Sequence, residues 1–346
     1  MSLADPAIIT CAISGAIANR DQCPAIPYTP QEYAAEARRI VDEGGVHIHI
    51  HARSPDGAPS YEAEDFRAIR DAIRDEVGDA AIINFSTGTV GVTVEKRIAY
   101  LEACRPEVAA LNMGSLNYAK YSRSRHDFVF KFVFANPFDE IIELLTAMRR
   151  LHIKPEHECF DVGHVGSLVP LVDMGLLDAP LHADFVMGVV GGVPATARNL
   201  ACMAENLAEV PPGPGDGDLV TANAHEPVVT QESELHAATG PEARPHHWGV
   251  IGIGRGQWTM VAAALTLGGS IRVGLEDNFY LPDGEMARSN GDLIAKARQL
   301  TEDCGRRPAT VAEARALLGI GSPRSTTPQR SAWAGTLSAV ETPPVR

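Results

Sequence analysis

Short runs of β-branched and other apolar residues alternate along the chain with longer stretches whose apolar positions recur at helical spacing. This is the pattern of βα units around a parallel sheet. The apolar runs predict strands near 7–14, 46–52, 80–86, 108–113, 156–161, 183–190, 247–254 and 270–277. The intervening periodicity predicts helices at 30–43, 62–76, 93–104, 136–151, 166–174, 194–208 and 257–267. Thr29 followed by Pro30 marks the first helix start, since proline is pre-set for the first helical turn. Eight such strands predict a closed (β/α)8 TIM barrel, a fold that reaches 346 residues as a single domain.

Two stretches depart from the repeat. Tyr118 to Phe134 contains the alternation Phe128-Val129-Phe130-Lys131-Phe132-Val133, which reads as an extra edge strand, an interface or surface packing. Residues 211–246, rich in Pro, Gly, Asp and His, form a long insertion before the seventh strand and read as a loop or lid. The tail over 322–346, rich in Ser, Thr and Pro, is expected to pack loosely.

Composition narrows the function classes. With 45% hydrophobic and 21% charged residues the chain has the balance of a protein that buries a large core. A net charge of −14 disfavours nucleic acid and anionic membranes as partners and favours small molecules. The six scattered cysteines form no disulfide framework or metal-binding pair, and no basic-then-apolar leader or long apolar span occurs, so the expected location is the cytoplasm.

The second strand carries the strongest chemical signal. In Val46-His47-Ile48-His49-Ile50-His51-Ala52-Arg53 the three histidines and Arg53 share one face, and that face must look into the barrel. His49 and His51, near the strand's C-terminal end, can share a metal ion, while His47 lies deeper, in the core or orienting a ligand. The eighth strand, near 270–277, turns Arg272, Gly274 and Glu276 inward. Strands one, two and eight are neighbours in such a barrel, so Glu276 can complete a set of two nitrogens and one oxygen with an open position, the pattern of a catalytic zinc ion. The alternative is that Arg272 and Glu276 form an internal ion pair. Asp277, at the strand end, is placed to act as a general base beside the metal.

Three further strand ends carry residues that suit a ligand. Ser86, Thr87 and Gly88 follow the third strand, and Asn112, Ser115 and Asn117 follow the fourth; such polar clusters are either turn chemistry or pocket. Gly254 and Arg255, in Gly252-Ile253-Gly254-Arg255-Gly256 after the seventh strand, suit a phosphate or a thioester cofactor.

Taken in order, Ile9 to Gly15, His49-Ile50-His51-Ala52-Arg53, Asn84-Phe85-Ser86-Thr87-Gly88 and Arg272-Val273-Gly274-Leu275-Glu276-Asp277-Asn278 resemble the β-keto acid cleavage enzyme family, over nearly the whole chain from about 7 to 320. The resemblance implies zinc at His49, His51 and Glu276, a base at Asp277, and supporting roles for Arg272 and Ser86. It also implies acetyl-CoA as cosubstrate, acetoacetate and a new acyl-CoA as products, and a homo-oligomer such as a tetramer. Ile17 stands where members acting on aminated substrates have a glutamate, so an uncharged substrate tail is expected there. Arg20 offers a dicarboxylic acid as the alternative. Thr89 replaces a second glycine common after Ser-Thr-Gly. Two other readings stay open: a CoA-independent metal hydrolase or aldolase on the same barrel, and a barrel that binds a metal or metabolite without turning it over.

Overall fold

The computed structural model describes residues 3–212 and 246–321; the predicted lid and tail lie outside them, apart from the lid's edges. In chain order the strands are β1 (Ile9–Ala12), β2 (His47–Ile50), β3 (Ile82–Ser86), β4 (Val108–Asn112), β5 (Leu116–Ser122), β6 (Asp127–Phe134), β7 (Lys154–Cys159), β8 (His182–Met187), β9 (His247–Gly252) and β10 (Ser270–Val273). The helices are α1 (Pro30–Asp42), α2 (Ala63–Val77), α3 (Val94–Cys104), α4 (Phe138–Leu151), α5 (Val162–Gly166), α6 (Leu168–Asp173), α7 (Ala197–Ala208), α8 (Gln257–Thr266), α9 (Asn290–Asp303) and α10 (Val311–Leu318).

Eight strands, all but β5 and β6, close into one parallel barrel, with β10 returning to β1. Each overlaps a predicted window. Their outward positions, such as Ile48, Phe85 and Phe185, pack on the helices in one continuous buried shell. Helix starts follow local chemistry: Thr29 and Glu32 form a reciprocal capping box at α1, and Thr310 and Glu313 do the same at α10.

Four elements differ from the sequence expectation, one being α10, which lies outside every predicted helix. The single helix expected over 166–174 is two short ones, α5 and α6, joined at Ser167. The helix α9, which completes the eighth strand–helix unit, was not predicted. Its buried Leu293, Ile294, Ala297 and Thr301 keep helical spacing, but Gly291 and polar neighbours dilute the signal. Residues 116–134 form an antiparallel hairpin, with Tyr118 opposite Phe132 and Leu116 opposite Phe134.

The barrel's two ends are closed differently. At the N-terminal end α10 packs Ala314 and Leu318 against Ile8, Val46, Ile82 and Val108. At the other end the base of the hairpin joins a small apolar cluster of Leu116, Phe160, Val186, Val189 and Ile251, with Tyr118 and Phe134 at its edge. The hairpin therefore stands at the face where barrel enzymes hold their chemistry.

Candidate metal centre and active site

β1 is the spacer that brings the two key strands together. Ala12 pairs with His49 on one side and Thr10 with Arg272 on the other, so β2 and β10 flank it. After Val273 the chain leaves the ladder at Gly274, where φ is 146° and a Cβ would meet the Ala12 carbonyl oxygen at 2.1 Å. The turn that follows, closed by Asp277 N–H donating to the Gly274 carbonyl at 3.1 Å, breaks the alternation and delivers both Glu276 and Asp277 to the site. Gly15 (φ 62°) packs on Glu276, and a Cβ there would lie 2.7 Å from its Cγ.

His49, His51 and Glu276 converge, each offering a donor atom within 4.8 Å of the others. The separations are 3.8 Å from His49 Nε2 to Glu276 Oε2 and 3.5 Å from His51 Nε2 to Glu276 Oε1. Burial, helped by the neighbouring Arg272 charge, holds the His49 imidazole well below its usual pKa and hence neutral, the form that ligates a metal. Burial opposes ionisation of Glu276, but Arg272, His51 and His49 overcome it and keep the carboxylate charged. Glu276 Oε2 is buried with no hydrogen-bond partner. An orphaned carboxylate oxygen between two imidazoles fits a divalent cation of the zinc type.

Arg272 organises the acids around this set. Its Nη1 donates to Glu158 at 3.0 Å, its Nη2 to Glu276 at 2.8 Å, and its Nε and Nη2 to the two Asp277 oxygens at 3.0 Å each. The ion pair with Glu276 and the ligand set therefore coexist. Burial pushes the Asp277 carboxyl up to about 7, with Arg272 opposing and Glu276 adding to the rise. Sequence reasoning missed the role of Glu158. The signal was present: Glu156 and Glu158 on β7 repeat the i, i+2 spacing of the histidines on β2. One layer down, Glu156, His182 and Asp184 form a second group whose donor atoms lie within 4.8 Å of one another.

The remaining predicted residues divide. Ser86 and Asn112 are buried at the mouth around Gly88, where an added Cβ would lie 3.5 Å from Ser86 Oγ, 3.0 Å from Asn112 Nδ2 and 3.5 Å from Phe134 Cζ. Gly254 N–H donates to the Asp277 carbonyl at 2.8 Å. Thr87 points the other way, its hydroxyl donating to the Ala110 carbonyl at 2.6 Å. Ser115 accepts from Asn136 N–H at 2.7 Å, and Ser115, Asn117 and Arg255 are exposed. Arg53 does not join the site: its guanidinium holds the Gly15, Ala18 and Gly57 carbonyls, shaping the β1–α1 loop. On that loop Ile17 is 60% exposed rather than enclosed beside the metal. Arg20 pairs with Glu32 at 2.7 Å and stacks over Tyr28, so its charge is already engaged.

Known proteins match this chain over most of its length. The profile of the beta-keto acid cleavage enzyme family matches residues 6–235 and 222–320. The 3-keto-5-aminohexanoate cleavage enzyme of Acetoanaerobium sticklandii is 33% identical over 313 residues, 90% of this chain and 98% of that protein. The 3-oxoadipate:acetyl-CoA acetyltransferase of Cupriavidus necator is 32% identical over 92% of this chain and 97% of its own. The apo structure of ObcA superposes with a TM-score of 0.67 at 20% identity, covering 86% of this chain and 66% of that one, and so supports the barrel fold. The match in profile and in full-length relatives makes this chain a member of the beta-keto acid cleavage enzyme family.

Proposed function

We propose that the chain converts a β-keto acid and acetyl-CoA into acetoacetate and a new acyl-CoA. The observation that carries this reading is the convergence of His49, His51 and Glu276 with Asp277 clamped beside them by Arg272. Relatives named for acetyl-CoA-dependent transfer support it.

Zinc is the cation we assign to His49, His51 and Glu276; when bound it supplies Lewis-acid polarisation of the ketone, which acidifies the neighbouring C–H. Asp277 takes a proton from C2, between the ketone and the carboxylate. Its buried carboxylate is aimed by two bonds from Arg272, so little reorganisation accompanies the transfer. C2 then bonds to the acetyl carbonyl carbon and the CoA thiolate leaves. The thiolate attacks the original keto carbonyl, the C2–C3 bond breaks, and Asp277 returns its proton to C2, giving acetoacetate and the new thioester. Ser86 and Asn112 position the substrate at the mouth, and Gly254 fixes the backbone under Asp277.

The six cysteines are free, which supports a reducing compartment such as the cytosol. Among the described residues no helix is long and apolar enough to cross a membrane. A homo-oligomer such as a tetramer remains what the family resemblance implies. The deciding experiment is mass spectrometry of products after incubation with acetyl-CoA and a panel of β-keto acids. Acetoacetate with a matched acyl-CoA is expected; turnover without CoA would instead indicate a hydrolase or aldolase.

A further inference from the structure

The hairpin β5–β6 has two properties that the chemistry at the barrel mouth does not use. One of its faces is a row of half-buried aromatic rings. Phe134, beside Ser86 and Asn112, is followed outward by Phe132 and Phe130, with Tyr118 stacked across them at 5.4 and 6.1 Å between ring centroids. The row begins at the reaction chemistry: burial and the charges of Glu276, Asp277 and Glu158 together push the Tyr118 hydroxyl up to about 12.

The second property is charge. At the hairpin's outer end, beyond Phe130, Lys120, Arg123 and Arg125 line a cavity of about 860 Å³ together with Val129, Gln22 and Arg255. The four cations are exposed, and none has an acidic partner among the described residues. In a chain of net charge −14, four unpaired cations around one hollow form a local site for a polyanion. From Tyr118 to Ser122, the end of β5, the strand rise of about 3.4 Å per residue spans about 14 Å, the scale of a pantetheine arm.

We infer that this hairpin is the docking arm for coenzyme A, its aromatic face receiving the pantetheine chain and its basic tip the phosphates of the adenosine bisphosphate. The order of chemistry along the arm, reacting site, apolar row, then cations, matches the order along an acyl-CoA: thioester, weakly polar chain, then phosphates. Arg255 supports this assignment from β9's end, since the adjacent Gly254 N–H is bonded to the Asp277 carbonyl and ties the cavity's rim to the reacting carboxylate. The inference rests on the acetyl-CoA reading above and adds where and how the nucleotide end is held.

The test compares acetyl-CoA, acetyl-dephospho-CoA and acetyl-pantetheine as cosubstrates for the native protein and for R123E/R125E. Both side chains are exposed on the hairpin turn, and circular dichroism checks that the fold is kept. The native protein is expected to prefer acetyl-CoA over acetyl-pantetheine in kcat/KM by about tenfold or more, and the variant to lose most of that ratio. Calorimetric titration of adenosine 3′,5′-bisphosphate, which needs no turnover, should show binding to the native protein and about tenfold or greater weakening in the variant. Turnover of acetyl-CoA with an unchanged ratio in R123E/R125E overturns the docking arm and leaves the acetyl-CoA reading standing. If no thioester is turned over, that reading falls. Equal bisphosphate binding by both proteins then removes the docking arm as well.

Discussion

Arg272 meets Asp277 through two parallel N–H donors, Nε to Oδ2 and Nη2 to Oδ1, each at 3.0 Å in a fully enclosed setting. The same guanidinium also holds Glu158 and Glu276, so one buried cation is shared by three acids. Arg272→Met would leave those acids without a counter-charge, and removing one partner of a buried pair costs about 3–5 kcal/mol. Urea unfolding should show a loss of that size. Arg272→Lys should recover only part of it, because an ammonium cannot supply the planar fork.

His49→Ala and Glu276→Gln each remove one donor of the three. Purified native protein is expected to carry one zinc-like ion per chain by elemental analysis, and both variants a small fraction of that. Full occupancy in either variant would show that the ligands lie elsewhere.

Asp277→Asn preserves shape and removes the base. Loss of a general base costs on the order of 10²–10⁴ in rate, so turnover should fall by that much while the metal is retained. A variant with near-native kcat and full metal would take Asp277 out of the proton transfer.

His157 is buried outside the metal centre, with Nδ1 against the His182 carbonyl at 2.8 Å. Burial lowers its pKa from the ordinary 6.5 to about 3, the backbone bond to His182 opposing. Between these values the unfolded chain binds the extra proton, so the stability contribution is complete above pH 6.5 and is lost as pH falls toward 3. The slope from this residue is about 1.4 kcal/mol per pH unit within that window. His157→Asn keeps an N–H donor and should flatten the pH dependence of the urea midpoint between pH 4 and 5.5. An unchanged slope would mean that His157 does not titrate on unfolding.

Ile17 supplies no counter-charge for an aminated substrate. Native kcat/KM is expected to be higher for unbranched neutral β-keto acids than for 5-amino-3-oxohexanoate, and Ile17→Glu should narrow or reverse that order. At 60% exposure the introduced charge is partly screened, so the effect should be smaller than for an enclosed pair. The aminated acid as best native substrate would contradict this.

The barrel was legible because strand alternation and helical spacing are local, and the shared face of His49 and His51 because alternation along β2 fixes it. Glu276 and Asp277 together were harder to place, since adjacent residues on a strand point apart; only the turn at Gly274 lets both face the site. Thr87 and Ser115 show the converse. Small polar residues at strand ends satisfy nearby backbone as readily as a ligand, and sequence spacing does not say which. The guanidinium hub was hidden because Arg272 and Glu158 are 114 positions apart and meet only when the barrel closes.

The contact between Gly15 and Glu276 limits how this protein can diverge. A methyl group at position 15 collides with the Glu276 side chain and also demands a left-handed backbone that alanine resists. Selection for new substrates therefore cannot use that position alone, although it borders the mouth. The permissive ground lies a few residues on, at exposed Ile17, where a change leaves the packing on Glu276 untouched. One glycine thus separates an inherited reaction from an adaptable specificity.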